Sequence, residues 1–162
     1  MGNLKNQENS SNSNFKKDEQ RLQAIRALLK LDDCWELARE LLDSIQADLL
    51  HPKNKVLFLY LNGRYHSHLY KRNKDIEDLE WSNDYYDQMA HFAYEYNVRL
   101  KDIRFHFGRA FTKFQMINAI WDEDRKPKLF QKANKIATNI LDRYPDNASF
   151  IWLKKELQHL SY

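Results

Sequence analysis

Seven apolar residues, Leu100, Ile103, Phe107, Ala110, Phe114, Ile117 and Trp121, follow one another at intervals of three and four without a break. An α-helix turns once every 3.6 residues, so these side chains fall on one stripe about six turns long. A β-strand would scatter them over both its faces. A stripe of that length has to be covered, and the rest of the chain offers more helices to cover it. Shorter stripes at the same period run through Leu22, Ile25 and Leu28/Leu29, and through Leu37/Ala38, Leu41/Leu42, Ile45 and Leu49. Others run through Tyr85, Met89, Phe92 and Tyr96, through Leu129/Phe130, Ala133, Ile136/Ala137 and Ile140/Leu141, and through Phe150, Leu153, Leu157 and Leu160. Glycine occurs only at positions 2, 63 and 108, which leaves little for tight hairpins or phosphate-cradling loops.

The breaks between stripes carry helix-end chemistry. "LDD" (31–33) offers Asp32 or Asp33 as the cap of a second helix, and "HPKN" closes that helix with Pro52 opening a third over about 53–71. "RNKD" (72–75) and "DEDRKP" (122–127) are turns. Tyr144-Pro145 stops the sixth helix, because the residue before a proline is pushed out of helical geometry, and Asp146 or Asn147 caps the seventh. Turns this short make neighbouring helices antiparallel. The expectation is an all-α domain of about six or seven antiparallel helices stacked as hairpins into a solenoid, with a compact bundle as the alternative. Residues 1–15 hold five Asn and three Ser with almost nothing to bury, which predicts a disordered polar tail ahead of a single helical domain over 16–162.

"ANKIATNILDRYPDNASFIWLKKEL" resembles the second half of a tetratricopeptide repeat running into the next unit. Ala133 and Pro145 keep the family's twelve-residue spacing between a small residue and the turn proline, and Asp146-Asn147-Ala148 is a typical entry to the following helix. "FHFGRAFTKF" is similar to the core of a first repeat helix through Phe107, Gly108 and Phe111. The likeness covers about 40–60 residues. It departs from the family in that Gly108 lies too far from Pro145 for a unit of about 34 residues, and the expected Trp falls one place late, at Trp152. The resemblance implies a right-handed solenoid that binds peptides or partner proteins in a groove. "LNGRYHSHLY" (61–70) and "HFGRAFTKFQ" (106–115) each place Gly-Arg mid-helix, 45 residues apart. A mid-helix glycine costs about 1 kcal/mol relative to alanine, so each predicts the close approach of a neighbour.

The longest apolar run, "VLFLYL" (56–61), is too short to span a bilayer, and the first fifteen residues lack the apolar middle of a signal peptide, so no membrane association is expected. A lone cysteine, Cys34, permits no internal disulfide and suits the cytoplasm. Its position after Asp32-Asp33 does not favour an activated thiolate. The net charge of +3 conceals a split: residues 1–98 carry 13 Lys+Arg against 16 Asp+Glu, and residues 99–162 carry 13 against 7.

These features favour a non-catalytic module, adaptor or scaffold, that binds a protein or peptide partner, with no cofactor and no metal. The surface it would use joins the Tyr-rich fourth helix to the basic flank of the fifth, with Tyr86, Tyr94, Phe105, Arg109 and Lys113 as exposed contacts. The first alternative is an RNA- or polyanion-binding protein using the basic 99–136 region, where Arg99, Lys101, Arg104, Arg109 and Lys113 alternate with phenylalanines. The second is a metal-dependent enzyme around Asp87, His91 and Glu95, which share one helix stripe.

Overall fold

The computed structural model describes the backbone of residues 3–160 and the side-chain surroundings of residues 14–160. Seven α-helices follow in order: α1 (Asn3–Leu28), α2 (Trp35–Asp43), α3 (Pro52–Asn73), α4 (Ile76–Glu95), α5 (Ile103–Ala119), α6 (Lys126–Leu141) and α7 (Ala148–Gln158), with a 3₁₀ turn at Ala47–Leu49. No strand occurs among the described residues. Each helix packs on the next in sequence from α1 to α7, and the odd-numbered helices also pack in a row, α1 on α3, α3 on α5 and α5 on α7. That pattern is compatible with a stack of hairpins or a helical bundle, with the odd-numbered helices in one row.

Helix ends follow the predicted chemistry in most places. Pro52 opens α3 behind His51, whose Nδ1 accepts from the Lys53 amide. Asp75 caps α4, Asp102 caps α5, and the Asn147 side chain accepts from the Phe150 amide to cap α7. Lys74 ends α3 in the left-handed conformation (φ 58°), which turns the chain at "RNKD".

Three expectations fail. Neither Asp32 nor Asp33 caps α2; Cys34 stands at the cap position with no side-chain bond, and the helix is held by burial of Ala38 and Leu42. The second stripe ends early, since α2 stops at Asp43 and leaves Leu49 exposed beyond it. The fifth stripe is shorter than its spacing implied. Leu100 precedes α5, and Ile120 leaves helical geometry at ψ 150°, so Trp121 is 96% exposed while Ile120 is buried. Helix α1 runs through residues 3–15 of the 1–15 segment expected as a polar tail. No proline or glycine interrupts them, and α1 is anchored further along by the buried Leu22 and Ile25. Residues 1 and 2 lie outside the described residues.

Two adjoining cores fill the stack. One gathers Leu22, Ile25, Leu29, Leu42, Tyr60, Tyr86 and Met89 from α1–α4, with Leu29 just past the end of α1. The other gathers Ala110, Met116, Ile117, Leu129, Ala133, Phe150 and Leu153 from α5–α7, joined by Leu79 of α4. Helix α4 thus serves both cores, and its buried stripe is Leu79, Ser82/Asn83, Tyr86, Met89 and Ala93 rather than the Tyr85–Tyr96 stripe expected. Phe150 meets Phe107 edge-on at 5.5 Å, and the displaced Trp152 packs on Phe111 and Phe114 at 6.0 and 5.9 Å.

Both mid-helix glycines face the same ring. A β-carbon at Gly63 of α3 would lie 2.8 Å from Cε1 of Tyr86, and one at Gly108 of α5 would lie 2.8 Å from its Cζ. The tyrosine of α4 fills the space both missing side chains leave. The close approach expected from the two Gly-Arg pairs is therefore present, with one shared partner.

Asp102 closes the α1–α5 side. Its Oδ2 accepts from Arg26 of α1 at 2.6 Å, its Oδ1 accepts from the Arg104 amide at 3.0 Å, and both oxygens accept from the Arg104 guanidinium. Partial burial pushes its carboxyl upward, but these bonds outweigh that and hold it at about 2.

Two outcomes follow from this packing. Gly63→Ala and Gly108→Ala should each destabilise the fold by about 1–3 kcal/mol, despite alanine's better helix propensity. Either change combined with Tyr86→Leu should cost less than the sum of the singles, as a double-mutant cycle in urea will read. Asp102→Asn keeps a capping oxygen but loses the charge. Because the folded pKa lies below the unfolded value of about 3.9, the carboxylate's contribution is full above pH 4 and disappears as pH falls through 2. The variant should be about 2 kcal/mol less stable at pH 7 and show a flatter decline between pH 4 and pH 2.

Candidate functional site

A groove of about 530 Å³ lies between α3 and α5. Its α3 wall carries Arg64, Ser67, His68 and Lys71, at spacings of four, three and seven residues that put them on one helix face. Its α5 wall carries Phe107, Phe111, Thr112 and Gln115, with Arg104 at the mouth. The rings of Phe107 and Phe111 stack at 5.4 Å and 9°. Tyr86 and Tyr60 complete the lining, and Gly108 lets the groove reach down to Tyr86.

The floor is fixed by a directional hydrogen-bond relay. The Ser82 hydroxyl donates to the Gly63 carbonyl at 2.9 Å, and the hydroxyls of Ser67 and Ser82 lie 2.7 Å apart. With the Ser82 proton committed to Gly63, Ser67 donates to Ser82. Burial raises the Tyr86 phenol far above its ordinary value, so it remains a neutral donor.

Charge in the groove is of one sign. No Asp or Glu lines it. Arg104 is held by Asp102, whereas the polar neighbour of Arg64 is His68 at 3.4 Å. Burial lowers the His68 pKa, and the charges of Arg64 and Lys71 lower it further, so the imidazole is neutral at pH 7 and its two cationic neighbours are not. The arrangement can receive an anionic, partly apolar ligand: guanidinium and ammonium groups on one wall, phenylalanine faces on the other.

The five residues expected as exposed contacts do not form one surface. Tyr86 is 2% exposed and serves as floor and core. Lys113 is fully buried. Its Nζ donates to Asn83 at 2.8 Å and to Asp87 at 2.8 Å, because α4 lies over that face of α5. Arg109 is half-buried and bonded to the same Asp87 at 3.1 Å. Phe105 is half-buried against Tyr60 at 4.4 Å, with the Arg26 guanidinium over both rings. Tyr94 alone is open to solvent, at 87%. It lies on α4 and does not line the groove.

What the sequence reading missed was the α3 wall. "RYHSHLYK" holds Arg64, His68 and Lys71 on one face with no acidic residue within the segment, a signal that was present in the spacing. The basic 99–136 region, by contrast, has half of its ten cations paired with carboxylates. Asp102 holds Arg104, Asp87 holds Arg109 and Lys113, Glu80 holds Arg125, and Glu123 holds Lys126.

Asp87 is likewise turned to Lys113 and Arg109 rather than to His91, which is exposed along with Glu95. Among the described residues no group of three or more His, Cys, Asp or Glu is placed to hold a metal ion. Burial pushes the Asp87 carboxyl up, but Lys113 and Arg109 prevail and hold it below its usual range. For Lys113 the balance is opposite, and burial outweighs Asp87 to lower its pKa. The difference follows exposure, since Lys113 has no open surface and Asp87 keeps 32% of its side chain in water.

No family model, curated protein or solved structure matches this chain. No described helix is long and apolar enough to cross a membrane.

Removing one partner of the buried pair strands the other. Asp87→Ala should cost about 3 kcal/mol in chemical denaturation, and adding Lys113→Met should recover most of that loss, because two neutral groups then replace a broken ion pair.

Proposed function

We propose that this chain is a non-catalytic interaction module, an adaptor or scaffold, that seats an acidic segment of a partner protein in the groove between α3 and α5. The observation that carries this reading is the groove's lining: Arg64, Lys71 and Arg104 with no carboxylate among them, opposite the stacked rings of Phe107 and Phe111. Opposite charge would steer such a segment into place, and the aromatic wall would supply area that a charge contact lacks. The row of odd-numbered helices supports treating the chain as a divergent relative of tetratricopeptide-repeat proteins. A cytoplasmic setting fits its single unpaired Cys34. The polyanion reading is less favoured, because five of the ten cations of the 99–136 region have carboxylate partners and Phe105 is packed rather than free to stack on bases.

Selection from a random twelve-residue peptide library should enrich sequences rich in Asp and Glu with one or two large apolar residues. Their binding, read by fluorescence polarisation, should weaken about tenfold (about 1.4 kcal/mol) with Arg64→Glu plus Lys71→Glu, and should fall with added salt. Tyr94→Ala should leave it unchanged. Enrichment of neutral or basic peptides, or indifference to the α3 charge reversal, overturns the reading.

A further inference from the structure

A second cluster of cations sits apart from the groove and shares no residue with it. Arg99 and Lys101 come from the segment between α4 and α5, His106 from α5, and Arg143 from the turn after α6; together with Tyr144 they line a pocket of about 320 Å³. The remaining lining is Leu100, Ile103 and the buried Ile140, and no Asp or Glu lines it. Among the described residues, none of Arg99, Lys101 and Arg143 forms an ion pair. His106 is half-buried, with its Nε2 at 3.0 Å from the Leu100 carbonyl. That bond orients the ring and links it to the loop carrying Arg99 and Lys101.

Three like charges from two separate parts of the chain thus line one small cavity that has no carboxylate in its lining. Neighbouring cations on α5 went the other way, Arg104 to Asp102 and Arg109 to Asp87. The free cations therefore mark a spot and not a track along the helix, which suits a single compact anion better than a polymer. Two guanidinium forks and an ammonium match the oxygens of a phosphoryl group, since arginine binds such oxygens in pairs.

We propose that this pocket binds one phosphate group, carried on a phosphorylated side chain of a partner protein or as free inorganic phosphate. The site is independent of the α3–α5 groove. His106 reports its occupancy. Burial lowers its pKa, the Leu100 carbonyl opposes that, Arg109 and Arg143 lower it further and Asp102 raises it, with Arg99 and Lys101 beside it at the pocket. A bound dianion adds negative charge to that balance and raises it.

The test titrates the full chain with inorganic phosphate and, separately, with a short Gly/Ala peptide containing one phosphoserine. Calorimetry follows affinity, and the His106 ring resonance across a pH series follows its protonation. Saturable binding with a rise in the His106 pKa is expected. Arg99→Ala plus Arg143→Ala should weaken it at least tenfold with the helical circular dichroism intact, and Arg143→Lys should weaken it less. Tighter binding of the phosphopeptide assigns the group to a phosphorylated partner, and equal affinities assign it to free phosphate. The proposal is overturned if chloride at equal ionic strength gives the same response, or if the unphosphorylated peptide binds as well. It is equally overturned if the double variant is indifferent, or if binding appears only with RNA and grows with its length.

Discussion

A single aromatic ring sets the spacing of the central three helices. Tyr86 projects from α4 into the gap between α3 and α5, and both of those helices meet it with glycine. A glycine inside a helix is unfavourable by about 1 kcal/mol, a cost offset here by close packing on a buried aromatic. Because the ring touches backbone on both sides, the two helices cannot slide or rotate independently of it. The two cores adjoin along α4, which gives Tyr86 to one and Leu79 to the other. The same ring is the floor of the α3–α5 groove, so the element that holds the stack together also shapes its candidate binding surface.

Electrostatics then divide the molecule into used and unused charge. Carboxylates are spent on structure: Asp102 joins α1 to α5, Asp87 joins α4 to α5, Asp78 bonds His66 across the α3–α4 pair, and Glu80 bonds Arg125. The buried Lys113 fits one register of α5 on α4, the one that brings Asn83 and Asp87 within 2.8 Å. Two cavities, the groove beside the α3 wall and the pocket beside His106, are lined by cations with no carboxylate among them. A net charge of +3 would not predict such concentration. It arises because carboxylates such as Asp102 and Asp87 bond to cations at helix contacts and line neither cavity.

Period and punctuation made the helices legible without coordinates. Apolar residues at three- and four-residue intervals define which segments must coil, and Pro52, Pro145 and Asn147 mark where they begin or end, because proline geometry and capping act over a few residues of chain. The two glycines were legible too, as positions demanding a close neighbour. Tertiary structure alone decided who that neighbour was and which polar groups were withdrawn from solvent. A helical wheel ranks faces, but it does not say how many other helices cover them. Lys113 was assigned to a solvated flank and Tyr86 to an exposed contact, yet α4 and α5 bury both against each other. Partners 76, 30 and 26 residues apart, such as Arg26 with Asp102 and Lys113 with Asn83 and Asp87, are brought together by the stacking of hairpins. Local sequence governs helix formation because those forces are short in range along the chain; the charges left free to bind anything depend on contacts that exist only after the chain has closed on itself.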